Sequence, residues 1–150
     1  MSQSLSDIIL HIVFSTKERH PWIQAVIEDE LYQYICGVCR NLKCPIIKIN
    51  GVEDHIHILL LLGRTISTSK LISEVKSSSS QWIKTKGNQY CDFAWQGGYG
   101  AFSVSRPNIE GAIKYLSSQK EHHKKVTYKG ELLAMLQRAQ ISYDEKYLWD

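Results

Sequence analysis

The stretch from His55 to Leu62 constrains this chain more than any other. Two histidines flank one isoleucine at its head, and an unbroken apolar run, Ile58 to Leu62, follows. A strand apolar on both faces belongs in the middle of a sheet. Side chains alternate along a strand, so His55 and His57 share one face and Ile56 points to the other. Their Cβ atoms are then about 7 Å apart, near enough for both imidazoles to reach one metal ion. Taken alone, the pair reads equally well as two locally bonded histidines, although two imidazoles side by side on a buried strand require partners. Asp54, directly before them, is placed to orient an imidazole.

The flanking pattern organises the chain around this strand. Asp7 to Phe14, rich in Ile and Val, reads as a first strand. Pro21 and Trp22 open a helix running to about Leu42, with Glu28, Asp29 and Glu30 early in it. Cys44 to Val52 alternates as a second strand, and Gly51 to Asp54 turns it into the His55 to Leu62 strand. Ser67 to Lys84 is helical, with Leu71, Ile72, Val75, Trp82 and Ile83 on its buried side. An irregular loop, Gly87 to Gly97, leads to a fourth strand, Gly98 to Ser105. Pro107 starts a helix through about Lys125. Glu131 to Gln140 forms a shorter one, followed by an aromatic tail. The order is βαββαβ plus C-terminal helices. It predicts an α+β, ferredoxin-like (RRM-like) antiparallel sheet, with two helices on one face and the other face left for chemistry, a nucleic acid or a partner. A length of 150 residues suits one domain, 1–150.

Hydrophobic residues make up 43% and charged ones 22%, which excludes disordered, collagen-like and coiled-coil classes. No apolar run approaches a membrane span, and Met1 to Asp7 lacks the pattern of a secretory leader, so the expected location is cytoplasmic. The net charge of +3 is unevenly spread: between Arg64 and Lys129, eleven Lys and Arg face four Asp and Glu. A basic half points to an anionic partner such as nucleic acid. Lys76, Lys84, Lys86, Lys120, Lys124 and Lys125 are candidates for phosphate contacts, and Trp95, Tyr99 and Phe102 for stacking on unpaired bases. Phe102 alternates with Ser103 and so also reads as core. Cys36 and Cys39 have zinc-type spacing but lie within the helical apolar pattern Leu31, Tyr34, Ile35, Val38, Leu42, which makes them core.

The last long helix carries Tyr115 and Gln119 one turn apart on one face, with His122 returning to that face and His123 beside it. Together with the histidine pair, this set resembles the single-tyrosine HUH transposases of bacterial and archaeal insertion sequences, a group that includes the REP-associated tyrosine transposases. Their H-hydrophobic-H motif is matched by His55, Ile56 and His57, and their Tyr-x-x-x-Gln helix by Tyr115 and Gln119, continuing into Glu121, His122 and His123. Trp95 to Ser105 and Tyr143 to Trp149 are also similar to the family, so the resemblance runs from His11 to Trp149. The chain departs at Ser77 to Ser80, where the family more often has glycine after the lysine matching Lys76.

The resemblance implies a transposase that nicks single-stranded DNA at hairpins and transfers strands through a covalent 5′-phosphotyrosine. Tyr115 would be the nucleophile, and His55, His57 and Gln119 would hold one divalent ion, Mg or Mn, with Asp54 and His122 behind them. A phenol is a modest nucleophile but a better leaving group than an alkoxide, which suits a reversible transfer. The family also implies a homodimer in which the tyrosine helix of one subunit can complete the site of the other; Ser103 to Asn108, with Pro107 in it, offers a hinge for this, and a helix folded back on its own chain is the alternative. Three other readings stay open: a host-adopted nickase using the same residues, a metal hydrolase that activates water, and a nucleic-acid binder without catalysis.

Overall fold

A computed structural model describes residues 2–150. Four strands, β1 (Ile9–Ser15), β2 (Ile46–Val52), β3 (His55–Leu61) and β4 (Gly100–Val104), form one sheet in the order β2-β3-β1-β4. All neighbours are antiparallel. This is the ferredoxin-like arrangement the element order predicts, with the histidine strand inside the sheet. Its apolar run explains the position, because only an interior strand covered on both faces can bury Ile58, Leu59 and Leu60 together.

One face carries the larger core. Leu10, Ile12 and Phe14 of β1 and Ile56, Ile58 and Leu60 of β3 pack against α1 (Ala25–Asn41) and α2 (Thr68–Lys84). Helix α1 buries Ile27, Leu31, Tyr32, Ile35 and Cys39, a stripe at helical spacing. It starts at Ala25 rather than Trp22, since Gln24 before it is extended. Cys39 is fully buried and Cys36 partly so, and both thiols are free. Burial pushes the Cys39 thiol up to about 12, as expected of an inert core thiol. Helix α2 is capped by Ser67, whose hydroxyl accepts from the Lys70 amide at 3.1 Å. Within its serine run, Ser79 is buried and receives the Trp95 indole N–H at 2.9 Å.

The opposite face is covered rather than open. The segment expected as one helix from Pro107 to Lys125 is a short 3-10 turn, then α3 (Ile109–Ser117) and α4 (Gln119–His122), separated at Ser118. Asn50 of β2 stabilises this break by donating to the Leu116 carbonyl at 2.8 Å, an acceptor left free where the helix ends. Helix α5 (Tyr128–Arg138) begins one turn earlier than its apolar pattern suggested, because the Thr127 hydroxyl caps it by accepting from the Gly130 amide. A final turn, α6 (Glu145–Leu148), ends the chain. Leu116 of α3 packs on Ile9 and Leu59, and Leu132, Met135 and Leu136 of α5 pack around Val13. Between these two apolar patches, the sheet face presents His11, His55 and His57.

The β2–β3 hairpin that carries these histidines depends on Gly51, which pairs with Ile56. A Cβ there would lie 2.2 Å from the His55 carbonyl oxygen and 2.9 Å from the Ile56 Cα, both backbone atoms. Gly51→Ala is therefore expected to destabilise the fold by about 3 kcal/mol, the upper end of overpacking costs. A urea-denaturation midpoint measures it.

Candidate active site

The site is assembled from four elements, one strand and three C-terminal helices that lie far from it in the sequence. His55 and His57 project from β3, Tyr115 and Gln119 come from either side of the α3–α4 break, and Glu131 comes down from the first turn of α5. His55, His57 and Gln119 are fully buried, and Glu131 nearly so. A single carboxylate sits at the centre. Its Oε1 lies 2.9 Å from His57 Nε2, 3.0 Å from His123 Nε2 and 3.3 Å from His55 Nε2. Its Oε2 accepts from the Tyr115 hydroxyl and, at 3.1 Å, from the Gln119 amide. His122 Nε2 is 3.4 Å from the same oxygen.

The far sides of the rings decide what the near sides can do. His55 Nδ1 donates to Asp54 Oδ1 at 2.7 Å, and His123 Nδ1 donates to the Val126 carbonyl at 2.6 Å. Both acceptors lack a proton to give, so both Nδ1 atoms carry one. The Nε2 atoms of these rings, if the rings are neutral, then aim lone pairs at a carboxylate oxygen. Such an arrangement repels unless positive charge lies between, either as protons on the rings or as a cation. His55 Nε2, His122 Nε2 and Gln119 Oε1 are buried without hydrogen-bond partners, which leaves their lone pairs free for a cation. One ligand atom from each of His55, His57, His123 and Glu131 lies within 4.8 Å of the others. The residues thus fit a divalent ion: three imidazole nitrogens and a carboxylate around one point, with the Gln119 amide bonded to that carboxylate.

Burial pushes the His57 imidazole down, against the pull of Glu131. For His55, burial also acts downward, but the hydrogen bond to Asp54 and the nearby Glu131 carboxylate outweigh it and hold the ring above its ordinary value. Glu131 is held far below the usual carboxylate range: burial pushes it up, and the surrounding imidazoles of His123, His55 and His57 more than reverse that. The Tyr115 phenol is raised, first by burial and then by the adjacent Glu131 carboxylate, so it is protonated at neutral pH. Burial pushes His11, behind His57, down to about 3.

Asp54 lies where the sequence placed it, against His55, and His122 faces the carboxylate. Glu131 and His11 were not singled out, although each left a trace. Glu131 is an acid inside the apolar stripe Tyr128, Leu132, Met135, and His11 sits in an Ile/Val strand at the parity that faces His57. The nucleic-acid candidates are scattered. Trp95 is only 8% exposed and its ring packs edge-on against Phe14 and Phe93, so no face is open to a base. Lys76 donates to the Gln96, Gly97 and Gly98 carbonyls, tying down that loop, and burial pushes its amine down to about 8. Lys120 is committed to Glu28, Asn50 and the Gly51 carbonyl. Lys124 pairs with Glu121 at the surface, and Lys84 is exposed along α2.

Two cavities open onto the cluster. One, of about 1090 Å³, runs between β4, α3 and α5, with Tyr115 and His11 in its wall and Arg138 at its edge. The other, of about 720 Å³, reaches Asp54 and His123 and is rimmed by Arg19, Lys124 and Lys125. The first cavity thus reaches the cluster at Tyr115 and the second at His123.

Comparisons with known proteins agree with this architecture. A protein from Deinococcus radiodurans R1 described as a transposase superposes with a TM-score of 0.62 at 16% identity, covering 79% of this chain and 98% of its own. A REP-associated tyrosine transposase, solved bound to a REP hairpin, also gives a TM-score of 0.62, at 14% identity, covering 84% of this chain and 76% of its own. Identities this low show a shared fold. No curated protein matches the sequence. The profile of the family Transposase IS200 like matches residues 4–119, ending at Gln119 and leaving His123 and Glu131 beyond it. A match over that much of the chain, from before β1 through the histidine pair to Tyr115 and Gln119, makes this protein a member of the IS200-like transposase family.

Proposed function

We propose that the chain is a metal-dependent, single-tyrosine strand transferase acting on single-stranded DNA with hairpin ends. The observation that carries this reading is the convergence of Tyr115, Gln119 and three imidazoles on the Glu131 carboxylate, with His55 and His123 pinned so that their Nε2 atoms face it. Acting as a single domain, the chain would hold one divalent ion, Mg or Mn, through His55, His57 and Gln119, with His123 and Glu131 as additional donors. That ion would supply Lewis-acid stabilisation of a phosphate oxygen. Imidazole-rich donors favour Mn over Mg.

The chain's own residues account for the proton. The Tyr115 hydroxyl already donates to Glu131 Oε2, so its proton has an acceptor when the phenolic oxygen attacks phosphorus. An oxygen–phosphorus bond forms to Tyr115, the bond from phosphorus to the 3′-oxygen breaks, and that oxygen leaves as a hydroxyl after taking a proton from solvent. The phosphotyrosine keeps the energy of the phosphodiester, so another 3′-hydroxyl can reverse the step. Tyr115 lies over the histidines of its own chain, 5.8 Å from the His57 ring, and the proposed reaction is accordingly in cis. Exchange of α3 between two copies is the alternative, and the mass in solution with the activity of mixed mutants separates the two. The larger cavity would admit the strand to Tyr115, with Arg138 against a phosphate.

The test uses the full chain, a pool of hairpin-bearing single-stranded oligonucleotides, and Mn or Mg. The expected product is a denaturant-resistant adduct, attached through a 5′-phosphate and absent under chelation. Cleavage without an adduct would favour a water-activating hydrolase, and metal-independent binding without cleavage a passive binder. Glu131→Gln, which keeps the shape but removes the charge at the centre, is expected to weaken Mn binding by at least about tenfold. Titration calorimetry measures this directly.

A further inference from the structure

We propose that His11 is a positioning residue that exchanges a shared proton with His57, so that His57 stays anchored whether its Nε2 carries a proton or a metal ion. The inference rests on the reading of His57 as a ligand.

His11 and His57 are diagonal neighbours across the central strand pair, with His11 opposite Leu59 and Val13 opposite His57. His11 Nε2 and His57 Nδ1 are 2.7 Å apart, and both rings are buried. This is the only hydrogen bond the His11 side chain makes among the described residues. Its ring is wedged edge-on against Phe102 and Tyr115, with centroids 6.5 and 5.9 Å away, so it cannot swing aside without displacing them.

The anchor of His57 differs in kind from those of the other two rings. His55 and His123 are held by a carboxylate and a carbonyl, which only accept and so fix their protons on Nδ1. His57 is held by another imidazole nitrogen, which can donate or accept. Without an ion, His57 Nε2–H donates to Glu131 Oε1 at 2.9 Å. Its Nδ1 is then bare, and His11 Nε2–H donates to it. With an ion on His57 Nε2, the proton there is released to solvent. The shared proton moves from His11 Nε2 to His57 Nδ1, and a solvent proton enters at His11 Nδ1. Both rings stay neutral, and the hydrogen bond survives with its direction reversed. His11 lines the larger cavity, which gives that last proton a route. An acceptor-only anchor could not accompany both states, and an apolar one would leave a buried Nδ1–H without a partner.

The test compares wild type, His11→Leu and His11→Gln by Mn titration calorimetry, with histidine tautomers read by long-range nitrogen–proton NMR without metal and with diamagnetic Zn. The expected result is Mn affinity weakened about 10- to 100-fold in His11→Leu, the usual cost of losing an outer hydrogen bond to a ligand. His11→Gln, whose amide both donates and accepts, should stay within about fivefold of wild type. The wild-type spectra should show the proton on His57 Nε2 without metal, and on His57 Nδ1 and His11 Nδ1 with Zn. Equal Mn affinity in wild type and folded His11→Leu overturns the proposal and leaves the ligand reading standing. So does a proton that stays on His11 Nε2 in the Zn-loaded protein. Failure of wild type to bind Mn overturns both. Should His11→Leu fail to fold, the wild-type spectra and His11→Gln still decide.

Discussion

Tyr115→Phe is expected to lower adduct formation by at least about a thousandfold while leaving Mn affinity within a few-fold of wild type. The substitution removes one oxygen. The ring keeps its contacts to His11, His57 and His122, with centroids 5.9, 5.8 and 5.7 Å away, so the surroundings have no reason to rearrange. What disappears is the group proposed to attack phosphorus, together with the hydrogen bond to Glu131 Oε2. The check is a denaturing gel of labelled hairpin oligonucleotide with each protein, together with calorimetry for Mn. The combination separates mechanisms: a hydrolase that activates water would keep cleaving in the mutant, and a damaged fold would lose Mn binding as well.

The second large effect concerns the metal. Mn at about 100 times its dissociation constant should stabilise the chain by about 2.7 kcal/mol, or roughly 5–10 °C in Tm for a protein of this size. His57→Ala is expected to abolish that shift, with affinity reduced by more than about 100-fold. The shift should grow as pH rises through and above 6.5. His55 is held above its ordinary value of 6.5, so it keeps its proton longer than a free histidine, and an ion has to displace that proton. In the metal-free protein the same raised value stabilises the fold fully below 6.5 and loses that contribution as pH climbs through the folded value. Both effects widen the gap between loaded and free protein at higher pH. Thermal melts with Mn or chelator at several pH values measure it, and a shift independent of pH would count against His55 as a ligand.

Membership of the family rests on the profile match over residues 4–119. The cluster extends the matched segment with residues that follow it in sequence. His123 and Glu131 come after Gln119, yet both meet the histidine pair in space. The C-terminal helices therefore contribute to the candidate site. They also cover a sheet face that the element order alone leaves open, and two cavities reach the edges of the cluster.

Local rules determined much of this protein before any coordinates. The period of two along β3 put His55 and His57 on one face, and the unbroken apolar run put that strand inside the sheet. The element order then gave an antiparallel sheet of ferredoxin-like kind. Spacing of four along a helix paired Tyr115 with Gln119, and adjacency set Asp54 against His55. These features are short-range, so they are written in neighbouring residues. Tertiary structure alone decided the rest. The break at Ser118 depends on Asn50, distant in sequence, which caps the freed carbonyl. Trp95 and Lys76 have the residue types of a nucleic-acid surface, but packing turned one into core and the other into a loop tie. Glu131 reads as an ordinary helical acid until α5 docks on the sheet, and His11 as a strand residue until β1 pairs with β3. A buried charge is tolerated only where partners converge on it, and that convergence joins elements whose separation along the chain carries no local signal.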